Sequence, residues 1–219
     1  MSSSARPQRI RKSPEARRAE IVGTAAAIAL AEGLECITLR RIADELGVRP
    51  GLIGHYFPAV EDLVAEAFGT AATAELDTLL PAEPTDGTPL DHLTRFFART
   101  IGDAYDDLSR LWLNARHLSR YRPVLRERVG RQEGMWRDRL AGVIREGTAA
   151  GIFRTDDPLI AAAHILVVID GLGAHANTGD NGRPAAVLNL AVTTAEQALG
   201  LTPGALAGPG TGRPTASGQ

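Results

Sequence analysis

The stretch "TLRRIADELGVRPGLIGHYF", Thr38 to Phe57, decides how the rest of the chain is read. It holds three glycines and a proline, which argue for a loop, yet it ends in His55-Tyr56-Phe57 in a chain that is only 5% aromatic. Helical spacing reconciles the two. Leu39, Ile42, Ala43 and Leu46 recur on one face of a helix, and Arg40, Arg41, Asp44 and Glu45 lie off it. Thr38 stands where an N-cap belongs, and Gly47 supplies the left-handed residue that ends the helix. Pro50 opens a second, short helix, since a first-turn N–H would be unpaired anyway. Leu52, Ile53 and Phe57 can then pack inward. Two helices joined by a glycine-containing turn form the helix-turn-helix plan.

That plan gives the outward residues a use. A helix entering a major groove about 12 Å wide needs a slim, polar outer face. Gly51 and Gly54 bring no side chain to collide with DNA, and His55 and Tyr56 are placed to reach phosphates or base edges. Arg40 and Arg41, at the start of the preceding helix, can reach a phosphate or a guanine edge. The arm Arg6, Arg9, Arg11 and Lys12 either follows the DNA backbone or minor groove or is a solvated tail. Charge is divided along the chain: residues 1–60 hold nine Lys/Arg against six Asp/Glu, whereas the net charge of the whole chain is −2. A basic first quarter on an acidic body fits a small nucleic-acid module joined to something else.

Proline and glycine punctuate the remainder. Pro14, Pro50, Pro89, Pro123, Pro158 and Pro184 each precede an apolar-periodic segment, and Gly33, Gly47, Gly151 and Gly200 fall where helices should stop. The expected fold is all-α, with about nine helices near 14–32, 38–46, 50–56, 60–79, 89–105, 108–120, 122–149, 157–177 and 184–199. The expected organisation is an arm and DNA-reading module over 1–60, a helical ligand-binding and dimerisation body over 61–200, and an unstructured tail over 201–219. The N-terminus has no apolar signal-peptide core, and the apolar run 165–169 falls far short of the roughly 20 residues that span a bilayer. A lone cysteine, Cys36, excludes an intramolecular disulfide and a multi-cysteine metal site. A cytoplasmic protein with no membrane partner, no cofactor and no metal is expected.

Residues Thr38 to Leu63, "TLRRIADELGVRPGLIGHYFPAVEDL", resemble the DNA-binding segment of the TetR/AcrR family of transcriptional regulators. The resemblance rests on T-x-R-x-I-A, then L-G-V, an aromatic-Phe pair and E-D-L, and covers about a quarter of the chain. It implies an all-helical dimer with an N-terminal DNA-binding domain and a larger ligand-binding domain. It also implies that Thr38, Arg40, Arg49, Gly51, Leu52, His55 and Tyr56 occupy DNA-facing places. The wording "IGHYF" is closer to the choline-sensing BetI-type branch than to the tetracycline type. Three positions depart from the family pattern. Arg49 stands where a capping serine is usual, Gly54 replaces a phosphate-gripping tyrosine, and Val60 replaces a lysine.

Beyond residue 70 the resemblance weakens. Gly171 to Ala176 fits G-x-G-x-x-A, but no second strand follows and "NTGDNGRP" stops any helix, so a dinucleotide site is rejected. Residues 158–177 read instead as one helix that is apolar nearly all round and must be buried on every side. A partner copy would bury it, with Ile165, Ile169 and Leu172 at the interface. The small-residue stripe Val187, Ala191, Ala195 and Ala198 on the last helix would complete a four-helix dimer contact. Asp170 in this helix reads as polar glue between copies or as a ligand contact. The pocket candidates are Tyr105, Trp112, Arg116, His117 and Trp136, the concentrated aromatic and polar groups of the middle helices. Two tryptophans can box a cation, or they can be core anchors. The expected function is a dimeric, ligand-released repressor of operator DNA. The competing reading is a helical adaptor whose DNA module no longer binds. No G-x-S-x-G, H-E-x-x-H or P-loop supports an enzyme.

Overall fold

The computed structural model describes residues 12–83, 86–100, 106–177, 187 and 189–207. These residues form nine α-helices and one 3-10 turn, and no strand occurs among them. In chain order the helices are α1 (Pro14–Glu32), α2 (Leu39–Leu46), α3 (Pro50–Tyr56), α4 (Val60–Leu79), α5 (Pro89–Thr100), α6 (Asp106–Ser119), α7 (Pro123–Ala149), α8 (Pro158–Ala176) and α9 (Leu190–Ala198). The 3-10 turn, Leu34–Cys36, links α1 to α2.

Caps explain where the helices begin. Ser13 Oγ accepts from Ala16 N at 3.1 Å, Thr38 Oγ1 from Arg41 N at 3.0 Å, and Asp157 Oδ1 from Leu159 N at 2.8 Å. Each satisfies a first-turn N–H that has no helical partner. The stops share one device. Gly47 has φ +61°, its N–H reaches Asp44 O at 3.3 Å, and Val48 N reaches Ala43 O at 2.9 Å. That 6→1 and 5→2 pair is the Schellman arrangement, which requires a left-handed residue. Gly151 ends α7 and Gly200 ends α9 in the same way.

All five phenylalanines are buried: Phe57, Phe68, Phe96, Phe97 and Phe153. Helix α4 is the central element and packs against α1, α5 and α7. Its last carbonyls are taken by arginines rather than by a glycine cap. Arg99 Nη1 donates to Thr78 O at 2.9 Å and Arg139 Nη1 to Leu80 O at 2.6 Å. Near the C-terminal end of α7, a Cβ on Gly147 would lie 2.1 Å from Cδ2 of Phe153, a ring only 2% exposed. Gly147→Ala is therefore expected to destabilise the protein by about 2 kcal/mol in urea unfolding, because the ring has nowhere to move. An unchanged midpoint would show that α7 and Phe153 are not packed in this way.

Three expectations need correction. Ile165, Ile169, Ala191 and Ala195 do not face outward: each is at most 4% exposed, in the contact between α8 and α9 or against the body of the same chain. Leu172 and Ala198 are half-buried against the same core. The exposed apolar residues of α8 are Leu159, Ile160 and Val167, joined near α9 by Val187 and Leu190. Within the single chain, helix α8 leaves these three residues uncovered. Among the described residues it is the one helix long and apolar enough by length and composition to cross a membrane, which the run 165–169 alone did not reveal. It packs against α6, α7 and α9 instead.

Residues 201–207, expected to belong to an unstructured tail, pack on the body. Leu206 is 1% exposed, and Glu196 Oε1 accepts from Gly204 N at 2.9 Å and Leu206 N at 3.0 Å. Residues 208–219, the arm residues Arg6, Arg9 and Arg11, and Tyr105 lie outside the described residues.

Candidate functional site

The candidate DNA-reading head comprises α1, α2 and α3. Ile21, Ala25, Ile28, Ile42, Ala43, Ile53 and Phe57 form its interior, each 4% exposed or less. Around them the structure leaves Thr38, Arg40, Arg49, Gly51 and His55 exposed, with Leu52 and Tyr56 half-buried. Thr38 is engaged as the cap of α2. Arg40 is the freer of the two α2 arginines, with only a 3.9 Å approach to Asp44 and a side chain 88% exposed. Arg41 is tied to the protein: Nη1 meets Glu45 Oε2 at 2.5 Å and Nη2 meets Glu32 Oε1 at 2.8 Å. These two carboxylates, Glu45 first, hold its guanidinium above the usual arginine range. DNA would have to compete with both for Arg41, so Arg40 and Arg49 are the cations of this face best placed to meet phosphate.

Helix α3 has no side-chain N-cap, as Arg49 at that position implies. A Cβ on Gly51 would meet nothing within 4 Å, so its outer surface is open. Gly54 differs from expectation. A Cβ there would touch Leu39 Cδ1 at 3.8 Å, so this glycine faces α2 and does not thin the outer face of α3. His55 and Tyr56 pack edge to face at 5.5 Å. The guanidinium of Arg18 lies 4.8 Å from the Phe57 ring centroid and pairs with Glu66, which fixes the head to α4.

In the body, α6, α7 and α8 enclose a cavity of about 240 Å³ lined by Trp112, Arg116, Glu133, Trp136, Ala163 and Asp170, with Val167 at its rim. The two tryptophans meet edge to face at 6.3 Å. Arg116 lies 5.1 Å above the Trp112 ring and bridges Glu133 Oε1 at 2.9 Å and Asp170 Oδ2 at 2.7 Å. Burial works against the charge on Arg116, but the two carboxylates together hold its guanidinium above its usual range. Burial pushes the Asp170 carboxyl up and Arg116 opposes it. The geometry is that of an ion pair, and Arg116, with two acidic partners, stays charged.

Behind Trp112, its Nε1 donates to Glu75 Oε2 at 2.9 Å. Glu75 is 5% exposed, and its other oxygen and Trp136 Nε1 have no hydrogen-bond partner. Burial raises the Glu75 carboxyl to about 7; the Trp112 bond opposes this and the Asp170 charge adds to it.

Trp112, Arg116 and Trp136 therefore come together as expected. His117 does not: it is exposed and packs on Tyr121 at 6.1 Å, away from the cavity. Its five-residue offset from Trp112 turns it about 140° round the helix, a signal available in the sequence. Glu75, Glu133 and Asp170 complete the site from α4, α7 and α8. Asp170 pairs with Arg116 of its own chain. A larger open groove of about 820 Å³ runs from the end of α4 to α5 and α7. Its Arg99 and Arg139 hold helix carbonyls, so it reads as a structural seam.

Comparison with known proteins decides the family. The model of the BetI-type transcriptional repressor C-terminal domain, TetR_C_6, matches residues 90–200, half of the chain. The chain is a TetR-family transcriptional regulator. It is 26% identical over 148 residues to the HTH-type transcriptional repressor KstR2 of Mycolicibacterium smegmatis, covering 65% of this regulator and 70% of that protein. A Rhodococcus TetR-family regulator superposes with a TM-score of 0.69 at 22% identity, over 84% of this chain and 98% of the other. A Saccharomonospora viridis regulator in complex with choline does so with a TM-score of 0.69 at 24% identity, over 84% and 97%. At such identity the two structures establish a shared fold.

Proposed function

We propose that this regulator is a homodimeric repressor that binds operator DNA through α2 and α3 and is released by a small molecule in the Trp112–Trp136 cavity. The observation that carries the reading is the open outer face of α3. Gly51 is unobstructed there, and Arg49 and His55 are exposed beside it. The proposed dimer contact is the exposed apolar set Leu159, Ile160, Val167, Val187 and Leu190. A two-fold dimer would set its recognition helices on half-sites about 34–36 Å apart, or a multiple of that. Titration of labelled duplexes selected by the protein from a random library tests this. Salt-sensitive binding in the nanomolar range is expected, and no duplex bound above background would favour the adaptor reading.

The cavity suits an organic cation. Two carboxylates face one guanidinium there, and the Trp112 ring offers a π face. That guanidinium already occupies the cation position, so a ligand must displace it. Arg116→Met is expected to tighten choline binding about tenfold in calorimetry, since it frees Trp112 and leaves Glu133 and Asp170 unpaired. Unchanged or weaker binding would count against a cationic effector.

A further inference from the structure

We propose that Asn114 is the positioning residue through which the cavity and the DNA-reading head sense each other. The inference rests on the operator-binding reading above and adds the route by which the two sites are joined.

Helix α6 carries both connections. Trp112 and Arg116 are four residues apart and share the cavity face, while Asn114 between them is turned about 200° from Trp112. On that opposite side α6 meets α1 and the 3-10 turn. Asn114 Oδ1 accepts from Leu34 N at 2.8 Å, and Nδ2 donates to Glu35 Oε1 at 2.8 Å and Oε2 at 2.7 Å. A single amide thus serves as acceptor and donor to two consecutive residues of the turn, and one of its partners is a backbone N–H. The turn starts at Gly33, held at φ +105°, and runs through Ile37 into Thr38, the cap of α2. Only two residues, Cys36 and Ile37, separate the Asn114–Glu35 contact from that cap.

The cavity side of α6 is just as firmly held. Trp112 is bonded to Glu75 on α4, and Arg116 to Glu133 on α7 and Asp170 on α8. A ligand that stacks on Trp112 or displaces Arg116 changes the partners that seat α6. Asn114 moves with the helix, and with it the turn that sets the start of α2. Coupling is reciprocal, so operator DNA at the head must alter the cavity in turn.

That reciprocity permits a test with no known effector. The chain has two tryptophans, and both line the cavity, so intrinsic tryptophan fluorescence reports the cavity alone. The probe is the duplex that the full-length protein selects from a random library. With wild type, saturating duplex is expected to change the tryptophan emission. Asn114→Ala is expected to keep its duplex affinity within about threefold and to lose at least about four-fifths of that emission change.

Asn114→Asp places a carboxylate against Glu35 and should also lose the response. Combined with Glu35→Gln, the clamp re-forms with donor and acceptor exchanged, and the response should return. A merely structural role for Asn114 would lower duplex affinity together with the emission change, whereas the coupling predicts a lost emission change at nearly unchanged affinity. Duplex binding with no emission change in wild type, or an undiminished change in Asn114→Ala, overturns the coupling. So does failure of the Asn114→Asp/Glu35→Gln pair to restore a response that Asn114→Asp has lost. If no duplex is selected at all, the operator reading itself falls, and the coupling falls with it.

Discussion

Gly51→Glu is expected to weaken operator binding by about a thousandfold, about 4 kcal/mol, and to leave the melting temperature unchanged. The two halves of this result have separate causes. The fold is indifferent because a Cβ at Gly51 meets nothing within 4 Å and the residue is exposed in the first turn of α3. The DNA is not indifferent. A recognition helix approaches closely at its N-terminal end, and a carboxylate there meets both steric exclusion and the phosphate charge. Gly51→Ala separates the two effects and should cost about tenfold or less. Anisotropy titration with the selected duplex, beside thermal unfolding, reads both quantities. A normal affinity for Gly51→Glu would mean that α3 does not enter the groove by this face.

Glu75→Gln is expected to stabilise the protein at pH 8 by about 3 kcal/mol and to have almost no effect at pH 4. Burial raises the Glu75 carboxyl in the folded protein to about 7 from an ordinary 4.5. Below the lower value both folded and unfolded chains hold the proton, and nothing is lost. Between the two values the unfolded chain ionises while the folded chain keeps its proton, so stability falls as pH rises. Above about 7 the penalty is complete. Glutamine removes the ionisation and keeps an oxygen to accept from Trp112 Nε1. Urea unfolding of both proteins across pH 4 to 8 checks this. An equal difference at every pH would show that Glu75 is not held protonated in the fold.

Much of the fold could be read from local chemistry. Ser13, Thr38 and Asp157 each cap the helix they precede, and Gly47, Gly151 and Gly200 each end one. These signals act over a few residues and depend little on the rest of the chain. The reading of 50–56 as a short separate helix was legible for the same reason, since Pro50 and Gly47 bracket it. What failed concerned which surfaces meet. The stripe of small residues on α9 signalled close helix approach correctly, but Ala191 and Ala195 meet their own chain, not a second copy. Spacing shows that a face is apolar and cannot name what covers it. The cavity shows the same limit. Trp112 and Arg116 share a face by spacing, whereas Glu75, Glu133 and Asp170 join them from three other helices, and only packing brings those together.

In the proposed dimer, two copies of the α2–α3 unit read a two-fold-symmetric DNA site. Hydroxyl-radical footprinting of the full-length protein on its selected duplex tests it most directly. Two protected segments related by an inverted repeat are expected, their centres about one helical turn or a multiple of it apart, both lost in Gly51→Glu. A single unsymmetrical footprint, or protection that survives Gly51→Glu, would contradict it.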